Sequence, residues 1–448
     1  MRFHIIATIA GIVVSLTSQA QLSDSLKQKK WTSHFQLTEI NQEHQAFPIT
    51  NKGVNTLIHE AESKKLSLTS TYFVGASLWK GASFYFNPEL AGGQGLSGAK
   101  GVAGFTNGET FRIGNVAPVL YIARLYFRQH IALPHSDYEW IEEGVNQVRE
   151  KLPSSRITIS IGKFGLADYF DQNSISHDPR SQFLNWSLMS NGAWDYAADT
   201  RGYTQGAVVE LVKPSWAIRF SAALVPLKAN GLELDWHISK AQALTVEAEK
   251  SWSINNLPGK IRLLVFRNAS QAPKYLNTLK EVQLGDSTSV EVYSGNKNWG
   301  IYSGVKYGWG FNAEQYFTNQ LGAFFKASWN DGKTATWAFT EIDRSVSGGV
   351  QVKGKIWRRP NDIIGLAQVI NGISTDHQAF LKAGLAGFMI GDGNMNYQPE
   401  AITEMYYKAS LLPNFTLSAD YQLVRNPGYN ANNKGPVHVF ALRGHFDF

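Results

Sequence analysis

The chain has 448 residues, with 42 lysines and arginines against 36 aspartates and glutamates, so its formal net charge is +6. It contains no cysteine, which excludes disulfide scaffolds, thiolate metal sites and thiol nucleophiles. Hydrophobic residues make up 43% of the chain, enough for a large core, and the basic residues form no stripe that would indicate a nucleic-acid partner.

The first twenty residues have the pattern of a secretory signal. An apolar stretch runs from Ile5 to Leu16 behind Arg2, and small residues precede a predicted cleavage before Gln21. The stretch is too short for an N-terminal membrane anchor, which needs about 20 residues to cross a bilayer. The predicted parts are a cleaved signal peptide at 1–20 and a single domain at 21–448, of which 21–60 holds an N-terminal segment and the first strand.

Beyond the signal, apolar residues alternate with polar ones at a period of two, which is typical of β-strands. Three segments show the alternation most clearly. Their apolar faces consist of Ile157, Ile159 and Ile161; of Phe84 and Phe86; and of Ala123, Leu125 and Phe127. Their polar faces consist of Thr158 and Ser160; of Tyr85, Asn87 and Glu89; and of Arg124, Tyr126 and Arg128. The chain is therefore predicted to be all-β, with long charged side chains on one face.

Such alternation fits either a soluble sandwich or a membrane barrel with an apolar outside and a polar lumen. The C-terminal segment favours the barrel. Its even positions Phe440, Leu442, Phe446 and Phe448 are apolar, and its odd positions Arg443, His445 and Asp447 are charged. A terminal aromatic residue on such a strand resembles the signal that marks the last strand of outer-membrane barrels, whereas on a sandwich edge it would promote aggregation. We therefore predict a transmembrane antiparallel β-barrel.

The length indicates the number of strands. Removing 20 of the 448 residues leaves 428, which is about 27 residues for each of 16 strands with its connection. The 13 tryptophans, 18 tyrosines and 25 phenylalanines would also supply aromatic girdles at both membrane interfaces, although large sandwiches and lectins are equally aromatic. A barrel of 16 strands is the prediction.

Several long motifs resemble the carbohydrate-selective outer-membrane porin family of the OprB type, from about Trp31 to Phe448. In chain order they are LWKGASFYFNPE (78–89), GLSGAKGVAGFTNGE (95–109), YIARLYFRQ (121–129), the run 162–199 containing DPRSQFLNWSLMSNGAWDYAAD, WNDGKTATWAFTEIDRS (329–345), RPNDIIGLAQVINGIS (359–374), GDGNMNYQPEAITEMYY (391–407) and DYQLVRNPGYN (420–430). The resemblance implies a 16-stranded barrel through which sugars diffuse passively, with extracellular loops folded inward to form a constriction.

A sugar constriction calls for side chains that replace the hydration of hydroxyl groups, which both donate and accept hydrogen bonds. The predicted constriction residues are Glu89, Glu109, Arg112, Arg124 and Arg128, and the predicted platforms for a sugar ring are Trp186 and Trp194. The alternatives are that the charged residues only pair with one another in the lumen wall, and that the tryptophans belong to an interfacial girdle.

Two patterns that could indicate a cofactor or a metal lack the necessary context. Glycines 93, 95 and 98 match a dinucleotide fingerprint, but no βαβ unit surrounds them. The possible calcium ligands Asp171, Asn173, Asp178, Asp392 and Asn394 lack EF-hand spacing, and the histidines lack zinc spacing. We therefore predict no cofactor, no metal and no catalytic residue.

The expected location is the outer membrane of a Gram-negative bacterium. The expected partners are sugars as transported solutes, outer-membrane lipid, and the barrel-assembly machinery acting through the strand that ends in Phe448. A monomer and a homotrimer are both compatible with the sequence.

Two other functions are kept as alternatives. One is a general or anion-leaning porin, which an excess of arginines over acids at the constriction would favour. The other is a secreted all-β carbohydrate-binding protein or a glycosidase with a carboxylate pair such as Glu89 and Glu109. An enzyme is not predicted, because a polar lumen accounts for the same carboxylates and no GxSxG motif occurs.

Overall fold

The computed structural model describes residues 29–50, 52–109, 116–433 and 435–448, so the predicted signal peptide lies outside the described residues. The strands are β1 (Trp31–His44), β2 (Glu62–Trp79), β3 (Ala82–Gly93), β4 (Val119–Ala132), β5 (Tyr138–Ile141), β6 (Glu150–Pro153), β7 (Arg156–Phe164), β8 (Thr204–Lys213), β9 (Trp216–Ala223), β10 (Gln242–Ile254), β11 (Leu257–Ser270), β12 (Gly304–Tyr316), β13 (Leu321–Asn330), β14 (Arg344–Lys353), β15 (Ile363–Gly372), β16 (Glu400–Leu412), β17 (Phe415–Arg425) and β18 (Val437–Asp447). The α-helices are Trp186–Met189, Tyr275–Gln283, Val290–Tyr293 and Thr375–Lys382, and the 3₁₀ turns are Leu96–Gly98, Leu166–Asp168, Gly354–Trp357 and Pro427–Tyr429. In the part of the chain that the structure describes, no helix has the length and apolar character that crossing a membrane requires.

Sixteen of the strands form one closed antiparallel barrel, and β5 pairs only with β6 in a separate hairpin. The barrel closes where β18 pairs with β1, from Gln36 opposite Asp447 to His44 opposite Val439. The backbone groups of Phe35 and Phe448 extend this pairing with two hydrogen bonds of 2.9 Å. Closure satisfies the edge groups that lipid could not hydrate, and it confirms the predicted barrel of 16 strands.

The predicted alternation separates the outside of the barrel from its lumen. Phe84 is 39% exposed on the outer surface, whereas the side chain of Tyr85 is fully enclosed in the lumen. Leu442 and Arg443 differ in the same way, with 50% and 0% exposure. The apolar side chains therefore form the outer surface, which contacts lipid in a membrane barrel, and the polar side chains line the lumen.

One assignment of the alternation is wrong. Ala123 was expected on the lipid face but is completely buried. The register between β3 and β4 shifts between Asn87, opposite Arg124, and Pro88, opposite Ile122, so Ala123 is an extra residue without a partner in β3. Since proline has no N–H to donate to the ladder, a bulge beside Pro88 is a favourable place for the extra residue.

The two ends of the barrel differ. One end of the barrel carries the start of β1, the end of β18 and short turns such as 80–81, 214–215 and 255–256. The opposite end carries the long loops 94–118, 165–203, 271–303 and 373–399. In outer-membrane barrels the short turns face the periplasm and the long loops face the outside. The outward-facing tryptophans at the short-turn end are Trp31, Trp79, Trp216 and Trp252.

The core of the molecule is inside the barrel, where the long loops pack on one another and on the wall. The aromatic rings of four residues from three different loops pack together with centroids 4.8 to 5.7 Å apart: Phe105, Trp186, Tyr196 and Phe339. The inward fold of the loops was expected, and it fills much of the lumen with ordered chain.

Candidate functional site

Acidic side chains fix the path of the long loops by accepting hydrogen bonds from loop backbone. Glu404 on β16 accepts the amides of Leu184 (2.5 Å) and Asn185 (2.8 Å) in the loop 165–203. Glu400, four residues earlier on the same strand, accepts the amide of Gly104 at 2.7 Å in the loop 94–118. Charge-assisted bonds of this kind are about twice as strong as neutral ones, so they hold both loops in defined positions inside the lumen.

The loops leave open a cavity of about 320 Å³ on one side of the lumen. Its wall is formed by β1 to β4 on one side and by the loops 94–118 and 165–203 on the other. The charged residues that line it are Glu89, Glu109, Arg124, Asp168, Asp178, Arg180 and Arg201. The volume lies within the usual range for small-molecule sites.

Arg180 ties the loop 165–203 to the wall at this cavity. Its Nε donates to Glu109 at 2.8 Å and its Nη2 donates to Glu89 at 3.2 Å. Its Nη1 donates to Gln36 at 2.9 Å and to Thr71 at 3.3 Å. Although burial lowers the pKa of Arg180, the two carboxylates outweigh burial and raise the pKa above its usual value. All three nitrogens make hydrogen bonds, so Arg180 joins the loop 165–203 to β1, β2 and β3 and to Glu109.

Glu109 shares this guanidinium with Glu89. Burial raises the pKa of Glu109 to about 7, and repulsion from Glu89 and Asp178 adds to the effect, while Arg180 opposes it. One cation cannot fully neutralise two carboxylates in a desolvated site. Glu109 therefore changes its charge near neutral pH.

Arg124 lies on β4 and forms a two-point ion pair with Asp168 in the loop 165–203. Its Nε donates to one carboxylate oxygen at 2.7 Å and its Nη2 donates to the other at 2.6 Å. Burial raises the pKa of Asp168, but the Arg124 guanidinium outweighs it and holds the pKa below its usual value. The guanidinium also lies 5.2 Å from the ring centre of Tyr203, whose hydroxyl donates to Glu89 at 3.0 Å. Among the residues that the structure describes, Nη1 of Arg124 has no hydrogen-bond partner.

Arg201 is a lining residue that the sequence did not indicate. Its guanidinium lies 4.2 Å from the ring centre of Tyr121, and among the described residues it has no hydrogen-bond or ion-pair partner. It follows Asp199, whose carboxylate accepts the Arg201 amide at 2.9 Å and fixes the turn. The sequence offered one indication of its role: Arg201 lies two residues after the family-like motif 162–199.

The remaining predicted residues lie elsewhere. Arg128 does not line the cavity: it lies 5.0 Å from the ring centre of Tyr85, and its Nη1 donates to the carbonyl of Asn146 at 3.2 Å. Trp186 lines the cavity but is almost fully buried, and Trp194 is 0% exposed. Arg112 lies outside the described residues.

Both tryptophans are enclosed by other rings inside the lumen, so their assignment to an interfacial girdle is wrong. Trp194 lies 4.9 Å from Tyr196 and 6.2 Å from Phe170, between ring centres. Because it has no exposed surface, Trp194 packs the loop and presents no open ring face to the cavity.

Asp171, one of the residues considered as a calcium ligand, makes several contacts inside the lumen. Asp171 accepts hydrogen bonds from the Asn191 amide at 2.7 Å and from Nδ2 of Asn312 at 2.6 Å, and it lies 3.5 Å from Nζ of Lys326. Within the described ranges no three acidic or histidine side chains are grouped as metal ligands.

A closed barrel with a polar lumen narrowed by its own loops defines the class of outer-membrane porins. The chain belongs to the family of carbohydrate-selective porins of the OprB type, whose pattern matches residues 76–448. The protein is therefore an outer-membrane carbohydrate porin, as the motifs predicted.

One solved structure supports the fold, and two others are less similar. The high-pH structure of OprB from Pseudomonas putida has a TM-score of 0.68, with 17% sequence identity over 94% of each chain. The low-pH structure of the same protein has a TM-score of 0.48, with 13% identity over 94% of this chain and 93% of that one. The channel DcaP of Acinetobacter baumannii has a TM-score of 0.47, with 11% identity over 93% and 97%. No curated protein sequence matches significantly.

Proposed function

We propose that sugars cross this barrel through the cavity between the β1–β4 wall and the loops 94–118 and 165–203, and that Arg201 and Arg124 contact them directly. The observation that carries the proposal is that the Arg201 guanidinium lines the cavity and has no hydrogen-bond or ion-pair partner among the described residues, whereas four of the five N–H groups of Arg180 are already used. A planar guanidinium can donate two parallel hydrogen bonds to neighbouring sugar hydroxyls. Asp168 also lines the cavity, and its Oδ1 accepts only from Arg124 among the described residues, so it can accept a hydrogen bond from a sugar hydroxyl.

The balance of charge supports an uncharged solute. Among the described lining residues, four are acidic (Glu89, Glu109, Asp168 and Asp178) and three are arginines. An anion-leaning porin would need the reverse balance. A neutral polyol finds donors and acceptors together in such a site, and it loses little electrostatic energy on entering.

The remaining parts of the proposal concern export and assembly. The segment 1–20 is removed on export, and the barrel then inserts through its last strand into the outer membrane. The exposed belt of apolar residues such as Phe84, Leu125 and Leu442 supports contact with lipid around the barrel. The assembled porin is a monomer or a homotrimer, and detergent-solubilised protein analysed by light scattering distinguishes them.

Replacement of Arg201 tests the sugar contact. In Arg201→Ala we expect liposome swelling with glucose to lose its advantage over a non-sugar solute of similar size, because hydrogen bonds to a charged donor contribute about 1.5–3 kcal/mol each. Arg201→Lys keeps the positive charge but lacks the planar guanidinium with its parallel donors. Compared with Arg201→Ala, it should restore the ion selectivity of the porin and not its preference for sugar. Arg425→Ala, at the exposed outer end of β17, is the matched control. Unchanged sugar preference in folded Arg201→Ala would refute the contact.

A further inference from the structure

The connection between β4 and β7 is the long segment at the end of the barrel that otherwise carries short turns. It contains the hairpin of β5 (Tyr138–Ile141) and β6 (Glu150–Pro153), and residues 142–149 connect these two strands. Val148 in this segment is completely buried and belongs to the same apolar cluster as the long loops from the opposite end. The segment is therefore part of the lumen filling.

Two sets of contacts fix residues 142–149. On the outer side, the Lys29 amide donates to the carbonyl of Arg149 at 3.1 Å and the Thr32 hydroxyl donates to Glu143 at 2.9 Å. On the inner side, Asn146 accepts at both of its oxygens. Its carbonyl accepts from Arg128 at 3.2 Å and its side chain accepts from Nδ2 of Asn87 at 2.9 Å. Arg128, expected at the sugar constriction, thus holds this segment in place.

The tip is a tight turn at residues 144–147. The amide of Gly144 donates to the carbonyl of Gln147 and the amide of Gln147 donates to the carbonyl of Gly144, both at 3.0 Å. Asn146 has a φ of 53°, a left-handed conformation that asparagine tolerates better than most residues. Val145 is the other residue of the turn, and its side chain is 41% exposed and lines the same cavity as Arg124, Arg180 and Arg201.

We infer that the turn 144–147 forms the periplasmic lip of the sugar passage and that Val145 sets the width and polarity of the exit. The inference rests on the proposed function and assigns a selectivity role to a segment outside the extracellular loops. The valine side chain has no hydrogen-bond donor or acceptor, so a sugar that leaves the charged side chains meets a side chain that does not bind its hydroxyls. Weak binding at the exit suits a channel, because a solute must leave as readily as it enters.

The absence of cysteine from the chain allows a direct test. In Val145→Cys, the thiolate attacks the sulfenyl sulfur of the reagent (2-trimethylammonioethyl) methanethiosulfonate, a mixed disulfide forms and methanesulfinate leaves. We expect single-channel conductance and glucose uptake to fall severalfold after modification and to return with dithiothreitol. Val54→Cys is the matched control, since Val54 is 83% exposed in the loop 45–61 at the opposite end and does not line the cavity.

Substitutions give a second, reagent-free measurement at this exposed position. Val145→Trp should lower and Val145→Gly should raise both conductance and the size limit for sugars. Complete modification of Val145→Cys, shown by mass, without a change in conductance would overturn the inference. A thiol that stays unmodified in the open channel while that of Val54→Cys reacts would also overturn it. If modification lowers ion conductance but the unmodified porin shows no sugar preference, the position of Val145 at the exit is supported and the proposed sugar contact is refuted.

Discussion

Leu442 is the sixth of the eleven residues of β18, and its side chain is 50% exposed on the outer surface of the barrel. At a rise of about 3.3 Å per residue and a tilt of about 40°, it lies about 13 Å from either end of the strand. That is the middle of an apolar band about 25 Å tall. Leu442→Arg therefore places a charge at the bilayer midplane.

The expected cost of Leu442→Arg is about 2–4 kcal/mol, and each 1.4 kcal/mol is a tenfold change in the folding equilibrium. Leu120→Arg is the control, because Leu120 is 69% exposed but is the second residue of β4, at its loop end. A charge there should cost about 0–1 kcal/mol. Equilibrium unfolding in denaturant from lipid vesicles, followed by tryptophan fluorescence, measures both variants.

The difference between the two variants is the decisive quantity. Equal losses would show that depth in the bilayer does not determine the cost, and a larger loss for Leu120→Arg would show that the barrel sits differently along its axis. Either result would refute the placement of the apolar band.

Three further predictions concern the lumen and the last strand. Because the pKa of Glu109 is raised to about 7, Glu109 gains its negative charge as pH rises through neutrality, so cation selectivity in reversal-potential measurements should rise between pH 6 and 8 and stay flat in Glu109→Gln. Asp195 accepts the amides of Trp337 (2.9 Å), Ala338 (3.0 Å) and Phe339 (3.1 Å), so Asp195→Asn should speed hydrogen exchange at these three amides and leave the barrel strands unchanged. The Phe448 ring lies 6.3 Å from that of Phe35, but its backbone makes the pairing bonds; Phe448→Ala should therefore lower the yield of heat-modifiable barrel in the outer membrane more than it lowers stability in vitro.

The barrel wall was predictable because alternation is a local property. Phe84 beside Tyr85, and Leu442 beside Arg443, already divide lipid face from lumen face. Ala123 was misplaced because its bulge depends on the register with Pro88 of the neighbouring strand, which alternation within β4 does not contain. A single inserted residue moves the side chains that follow it in the strand to the opposite face of the sheet. Alternation alone therefore assigns faces correctly only up to a bulge.

The residues that line the cavity were only partly predictable. Glu89 and Arg124 lie on strands, where the period of two places them in the lumen. Arg180 and Arg201 lie in a loop whose course is set by distant partners, such as Glu404, 220 residues from the Leu184 amide that it accepts. No periodicity records such a contact, and the matched motifs marked the segment without showing which side chains enter the cavity.

The anchoring of the loop 165–203 on β16 has a consequence for the order of assembly. The carboxylate of Glu404 reaches its final position only when a strand near the C-terminal end of the chain has joined the sheet. Contacts between segments so far apart in sequence form late, since the entropy of closing the intervening chain must first be overcome. We expect the loop 165–203 to remain unseated until β16 has joined the sheet, so the narrowing of the lumen is a late event in the assembly of the barrel.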